Sequence, residues 1–288
     1  MKSKITIILG LFLAVLFFSC DNQSPDLVSN DLETISEDEI NSLKFDEIGD
    51  EDAQQPICGN HLPNFRQRMM NHRFDRDCLT VTSSGDDYPK EIIIDYGEGC
   101  VGRHGELRTG KIIITMSDDI FNAGAEHVIK FEDVMIGERS VEMTKTRINA
   151  GQNEEGNWVM ESTMDQIITY EDGSSSTRNS TGKNEWLSGF GTEDKEDDIL
   201  ERSFSGDVVT SEGAEYSRKT TTPLLIDRSC LYIKSGVIEL NRNGTQVIID
   251  FGEGECDEWA TVTKDGVSEL VDLSQRGKKM TGFRHKGK

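Results

Sequence analysis

The stretch Ile92-Ile93-Ile94-Asp95-Tyr96-Gly97-Glu98-Gly99-Cys100 comes back near the other end of the chain as Val247-Ile248-Ile249-Asp250-Phe251-Gly252-Glu253-Gly254-Glu255-Cys256. Each copy is a β-branched run closed by an acidic residue, an aromatic, two glycines and a cysteine. Such runs favour strands, and residues without Cβ let a strand end bend or take positive φ. Each copy also has a second cysteine upstream in a shared setting, Asp75-Arg76-Asp77-Cys78-Leu79 and Asp227-Arg228-Ser229-Cys230-Leu231. The cysteines thus flank two strand-like runs, Leu79 to Thr82 with Glu91 to Tyr96, and Leu231 to Leu240 with Thr245 to Phe251. Asn243-Gly244 between alternating apolar residues is a strong hairpin signal. Folding the first unit about Pro89 sets Cys78 opposite Cys100. Folding the second about Asn243-Gly244 sets Cys256 opposite Leu231, one residue from Cys230, and a bulge at the additional Glu255 would absorb the offset. The expectation is two disulfides, Cys78–Cys100 and Cys230–Cys256, each stapling one of two duplicated β-ribbons, residues 75–116 and 227–273.

Outward from the ribbons, the chain reads as more strands. Lys111 to Met116, His127 to Val134, Ser140 to Ile148, Trp158 to Tyr170, Ser176 to Phe190, Ile199 to Thr210, Glu215 to Thr222, Trp259 to Thr263 and Val267 to Leu273 alternate or are β-rich. Turn signals such as Glu155-Gly156-Asn157, Glu171-Asp172-Gly173 and Lys264-Asp265-Gly266 separate them. Half-buried alternation predicts an antiparallel sheet with one wet face. About thirteen strands exceed what a strongly twisted open sheet holds without curling. The fold class is therefore all-β: a large antiparallel meander, curled into a half-barrel or folded into two packed sheets, in one domain over residues 57–275. One short N-terminal helix is expected at Asn64 to Met70, and residues 276–288 form a basic tail.

The N-terminus has the layout of a secretory signal, with Lys2 and Lys4, an apolar run from Ile5 to Phe18, then Ser19-Cys20. The run is short for a membrane span, which needs about 20 apolar residues. A cysteine after a small residue at its end looks like a lipobox, with residues 1–19 cleaved and Cys20 acylated, which anchors a chain without spanning the bilayer. Residues 20–56 carry twelve acidic residues against Lys44 alone and read as a flexible tether, although Ser36 or Asp31 could cap a short helix over Glu37 to Leu43. The whole chain has a formal charge of −22, and a surface of that sign repels phosphate backbones, so nucleic acid is not an expected partner.

Candidate chemistry is sparse. Gly97 to Gly102 has the letters of a dinucleotide fingerprint and Gly105 to Lys111 those of a phosphate loop, but a strand rather than a helix follows each. Arg103, His104, Arg108 and Lys111 gather positive charge on a Gly-rich loop of an acidic protein, a candidate anion-binding loop whose bland alternative is pairing with neighbouring carboxylates. Asp95, Glu98 and Glu106, or Asp250, Glu253 and Glu255, offer oxygen ligands for calcium without a recognised spacing, and a solvated strand end explains them equally. Cys58, with His61 and His72, supplies too few donors for zinc, so Cys58 is an odd thiol. The histidines at 61, 72, 104, 127 and 285 lie in no catalytic pattern. No metal, cofactor or catalytic residue is assigned.

The lipobox, YPKEIIIDYGEGCVGRHGELRTGKIIIT, PLLIDRSCLYIKSG and VIIDFGEGECDEWATVT together resemble an uncharacterised family of Bacteroidetes-type exported lipoproteins. The resemblance implies location and fold, and no activity. The expected function is that of a lipid-anchored envelope protein, most readily in the outer membrane, held to the membrane through Cys20. Its role is then non-enzymatic binding of a lipid, glycan or envelope protein, or structural. The alternative is a hydrolase acting on envelope glycans, which would need two carboxyls roughly 5–10 Å apart in a cleft with exposed aromatics.

Overall fold

A computed structural model describes Glu39 and residues 78–101, 106–192, 194 and 196–273. The strands run β1 (Thr80–Ser83), β2 (Lys90–Asp95), β3 (Cys100–Val101), β4 (Leu107–Met116), β5 (Glu126–Ile136), β6 (Arg139–Gln152) and β7 (Trp158–Thr169). They continue as β8 (Ser175–Ser188), β9 (Ile199–Val209), β10 (Glu215–Asp227), β11 (Ser235–Arg242), β12 (Thr245–Glu253), β13 (Trp259–Lys264) and β14 (Val267–Asp272). All pair antiparallel in one sheet, in sequence order, with β3 off the path against β4. The sheet is a single meander that does not close, so the two-sheet option falls away. The helix expected at Asn64 to Met70 lies outside the described residues, as do the signal segment, Cys20, Cys58 and the basic tail.

Alternation is carried through the sheet by register. One row across the buried face joins Ile92, Ile114, Ile129, Lys145, Met164, Ser180, Gly206, Arg218, Leu240 and Val247. Its two ends are apolar and its middle is cationic or small. Accordingly the apolar core splits in two. One cluster holds Ile92, Ile94, Ile112, Ile114, Ile129 and Met143 of β2 to β6 with Met164 and Ile168 of β7. The other holds Val208, Tyr216, Leu224, Leu240, Ile249 and Val262 of β9 to β13, with Val271 of β14. Each fully buried aliphatic side chain contributes roughly 1.5–3 kcal/mol, so the wings are where the sheet's hydrophobic stability resides. The strand β8 joins neither cluster: its buried-face positions Ser176, Arg178, Ser180, Gly182 and Asn184 are polar or small, and Trp186 at its end packs edge-on against Phe190.

Bulges reset the alternation where the sheet bends. Between the pairs Thr109–Met135 and Lys111–Glu132 the strand β5 carries an additional residue. Asp133 takes φ of 52° there, and a Cβ on Gly110 across from it would sit 2.2 Å from the Asp133 carbonyl oxygen. A glycine is required at 110. Pro223, which donates nothing to a ladder, falls where β10 shifts register against both neighbours.

Both disulfides are formed as expected, with Cα atoms 5.4 Å apart in Cys78–Cys100 and 5.8 Å in Cys230–Cys256. The routes to them differ from the hairpin arithmetic. Thr80 pairs with Asp95, which centres the first ribbon between Asp87 and Tyr88 instead of on Pro89, and puts Gly97 across from Cys78. Cys100 returns to Cys78 because the chain turns at Gly97 and Gly99, both at positive φ, with the Gly99 N–H donating to the Tyr96 carbonyl at 3.0 Å. In the second ribbon Arg242 pairs with Thr245 as expected, and the bulge lies between Asp250 and Glu253 opposite Gly236 instead of at Glu255. Its cysteines meet in the loops beyond the strand ends. The duplicated phrase does keep one local geometry: Asp95 Oδ1 accepts from Gly97 N–H at 2.8 Å, and Asp250 Oδ1 from Gly252 N–H at 2.9 Å. Tyr96 and Phe251, the following aromatics, are both buried.

Candidate binding surfaces

The candidate anion loop is not assembled. Residues 103 and 104 lie outside the described set. Arg108 is buried and paired with Glu106, whereas Lys111 is solvent-exposed and 3.5 Å from Asp95. Arg108 sits in register with Ile136 on the buried face, and Lys111 points the other way, between Asp95 and Glu132. Strand alternation alone separates two positions an odd number of residues apart, so pairing with neighbouring carboxylates is the reading that fits the described members. The calcium candidates are likewise dispersed: Asp95 caps its own turn and Glu106 holds Arg108. Among the described residues no group of three or more His, Cys, Asp or Glu is arranged to hold a metal ion.

Two other surfaces gather functional groups, one on each side of the central strands. On the open face, Thr115, Val128, Thr146, Thr163, Thr181, Ser205, Lys219 and Glu239 stand in one register row across β4 to β11. Around this row the sheet is cupped into two adjoining shallow depressions of about 630 and 620 Å³. The first is lined by Thr146, Ile148, Glu161, Thr163, Thr181 and Lys183 among others, and the second adds Asp165, Asn179, Asp207, Ser217 and Asn241. Threonine presents a methyl and a hydroxyl side by side, repeated at the strand spacing of about 4.8 Å. The Lys183 ammonium is 2.7 Å from Glu185, whose carboxyl is held below its ordinary range chiefly by that hydrogen bond and then by Asn157. Asp165 and Asp207 face Asn179 from either side, two strand spacings or roughly 10 Å apart. Among the described residues Phe204 is the one aromatic lining either depression, and it belongs to the buried side.

The buried face of the same strands is cationic. Lys145, Arg147, Arg178 and Arg218 all point into it and are nine-tenths or more buried. A strongly acidic chain has thus turned part of its positive charge inward, and buried charges require partners. One partner comes from the acidic N-terminal stretch. Glu39, helical and 0% exposed, places Oε1 2.6 Å from Arg218 Nη1 and Oε2 3.8 Å from Arg178 Nη2, with the Tyr216 hydroxyl 3.5 Å away. The region read as a solvent-borne tether therefore includes a residue packed against the sheet. The Arg218 guanidinium also lies over the Phe204 ring at 4.5 Å, a cation–π contact.

No family model, curated protein or solved structure matches the chain. What can be said of its function rests on these two surfaces. Neither was legible beforehand, because both are built by register across strands far apart in sequence, and composition carries no signal for which threonines align.

Proposed function

We propose that this is a lipid-anchored envelope protein, held to the membrane through acylated Cys20, whose open sheet face binds a hydroxyl-rich envelope polymer without cleaving it. The observation that carries the reading is the register row of Thr146, Thr163, Thr181 and Ser205 along the floor of the paired depressions. An extended glycan offers alternating C–H faces and hydroxyls, and a threonine ladder offers the complementary methyls and hydroxyls at regular spacing. Lys183, Lys219, Glu161 and Glu239 border the row with charges that accept or donate at its margins. The openness of the surface suits a long polymer better than a small molecule, which needs a concave site that buries most of its area.

The hydrolase alternative is favoured by one feature, the opposed Asp165 and Asp207. It is disfavoured by their setting, an open sheet floor where, among the described residues, no exposed aromatic ring lines the depression to hold a sugar in register. The test uses the mature chain with Cys20→Ser, sedimented with purified envelope polysaccharide and with peptidoglycan. Binding to one of these, lost by at least tenfold in Thr163→Arg/Thr181→Arg, with no reducing ends released, is the expected result. Unchanged binding by that variant would remove the reading, and reducing-end release abolished by Asp165→Asn or Asp207→Asn would replace it with the enzyme. Incorporation of labelled palmitate by the natural chain and none by Cys20→Ser tests the anchor separately.

A further inference from the structure

We infer that β14 is a self-association edge, through which two copies of the chain pair antiparallel about a two-fold axis with Leu270 opposite its own counterpart.

Natural edge strands are commonly blunted by a lysine, a proline, a bulge or extreme shortness. The segment Val267-Ser268-Glu269-Leu270-Val271-Asp272 carries no lysine or proline, and it holds its register against β13 without a shift over six pairs, from Trp259–Asp272 to Lys264–Val267. Among the described residues nothing pairs with its outer side. Leu270 is 61% exposed, and Trp259, diagonal to it on β13 and on the same face, is 40% exposed. The opposite margin is a poorer template, since β1 has only four residues.

The hairpin fixes which backbone groups point outward. Lys264 and Val267 close the two-residue turn Asp265-Gly266, both of whose residues take positive φ, so theirs is a hydrogen-bonded pair. Alternation then turns the N–H and C=O of Val267, Glu269 and Val271 toward β13, in line with the Leu273 N–H donating to the Glu258 carbonyl at 2.7 Å. Those of Ser268, Leu270 and Asp272 face away from it.

An antiparallel partner must bond to these three residues, and few registers exist when the partner is the same strand. With Leu270 opposite Leu270 and each Ser268 opposite an Asp272, all three are engaged on both copies, through about six hydrogen bonds. The serine hydroxyl suits the carboxylate across from it. On the open face the two Leu270 side chains and the two Trp259 rings become one apolar patch, within reach of one another as direct and diagonal neighbours. Sliding the pair one way sets Glu269 against Glu269, like charges directly opposite. Sliding it the other way sets Leu270 against Asp272, an apolar side chain against a carboxylate. The strand is thus its own complement in one register, which is what points to a second copy as the occupant.

Directly opposite residues of an antiparallel pair share a face, so the two-fold axis stands perpendicular to the sheet and both open faces look the same way. A six-residue edge makes an interface smaller than those of permanent dimers. The pair therefore forms at high protein concentration, and the edge is free in dilute solution.

The experiment is sedimentation velocity of the mature chain carrying Cys20→Ser and Cys58→Ser, over roughly a hundredfold range of concentration up to about 0.5 mM. Monomer at the bottom of the range and dimer at the top is the expected result. Leu270→Lys, which sets two ammonium groups against each other at an already exposed position, is expected to weaken the dimer at least about tenfold. Leu270→Cys is expected to cross-link under mild oxidation, because hydrogen-bonded partners have Cα atoms about 5.5 Å apart. Ser268→Cys is not, since its counterpart lies four residues along the strand. Hydrogen exchange in β14 is expected to slow as concentration rises while that in β1 stays unchanged. A monomer throughout the range, a Leu270→Lys dimer within twofold of the natural one, Ser268→Cys cross-linking as fast as Leu270→Cys, or β14 protection independent of concentration each overturns the inference. Should Leu270→Lys not fold, the two cysteine variants decide alone. None of these measurements contains polysaccharide, so this inference and the binding reading fail separately.

Discussion

His127, on β5, shows how the buried face treats charge at a single residue. Its ring is buried, its Nε2 lies 3.0 Å from the Asp118 carbonyl oxygen, and its pKa is lowered to about 4. Burial is the main cause, reinforced by Arg147 and Lys90 and opposed by the Asp118 carbonyl and Asp119. The imidazole is therefore neutral in the folded protein, with Nε2 donating to the carbonyl. In the unfolded chain it titrates near 6.5. Below that pH the unfolded state binds a proton that the folded state refuses, so stability falls as pH drops from about 6.5 to about 4 and then levels. The loss is on the order of 3 kcal/mol at most. His127→Gln should flatten this segment of a pH series of urea midpoints relative to the natural protein. Equal slopes for the two proteins would mean that His127 is charged when folded. Asp227 behaves in the opposite sense: hydrogen bonds from the Ser229 hydroxyl and, secondarily, the Ser229 N–H and Lys234 hold its carboxyl below the ordinary value against its partial burial. Its contribution is present above the usual carboxylate pKa and is lost as pH falls through the lowered one.

Among the elements, the two stapled ribbons stand at or near opposite edges of the sheet, β1 with β2 on one side and β11 with β12 on the other. Each disulfide closes a loop of a little over twenty residues, which by the loop-entropy account stabilises by ~3 kcal/mol. Cys230→Ser/Cys256→Ser should lower the melting temperature by roughly 6–12 °C. A shift under 2 °C would show that the sheet itself already restrains that ribbon. At the centre, β8 and β9 approach so closely at Gly206 that an added Cβ would lie 2.0 Å from the Asn179 carbonyl oxygen, which is backbone and cannot yield cheaply. Gly206→Ala should cost at least ~2 kcal/mol in denaturant midpoint at unchanged m-value, while Gly156→Ser, at an exposed turn with open space around it, should cost about 1 kcal/mol from its positive φ alone. Most strands were readable because alternation is local: Trp158 to Tyr170 was expected and Trp158–Thr169 is found. Asn243-Gly244 gave its turn for the same reason, both residues taking positive φ. The bulge at Asp133 was hidden, since it is set by what β4 and β6 present on either side. Glu39 was hidden more deeply. Its partners lie far along the chain, and nothing in an acidic run distinguishes the one carboxylate that enters the sheet.

For the whole molecule, an open sheet of this width has two margins, and among the described residues β1 and β14 each pair on one side only. The edge strand β1 is exposed throughout, and β14 exposes Val267 and Leu270 at 74% and 61%. Unpaired edges are where backbone opens first. Hydrogen exchange should therefore be slowest in β6 to β10, whose strands of 11 to 14 residues pair on both sides, and fastest in β1 and β14. Protection of β14 equal to that of β7 would mean that another chain covers this edge in solution. The docked glutamate bears on reach. Nineteen residues lead from Cys20 to Glu39, and fully extended they span at most about 65 Å. Without that contact the tether expected over residues 20–56 would bound the span at roughly 125 Å. If Cys20 carries the proposed anchor, one buried carboxylate would about halve the greatest distance the tether allows between bilayer and sheet.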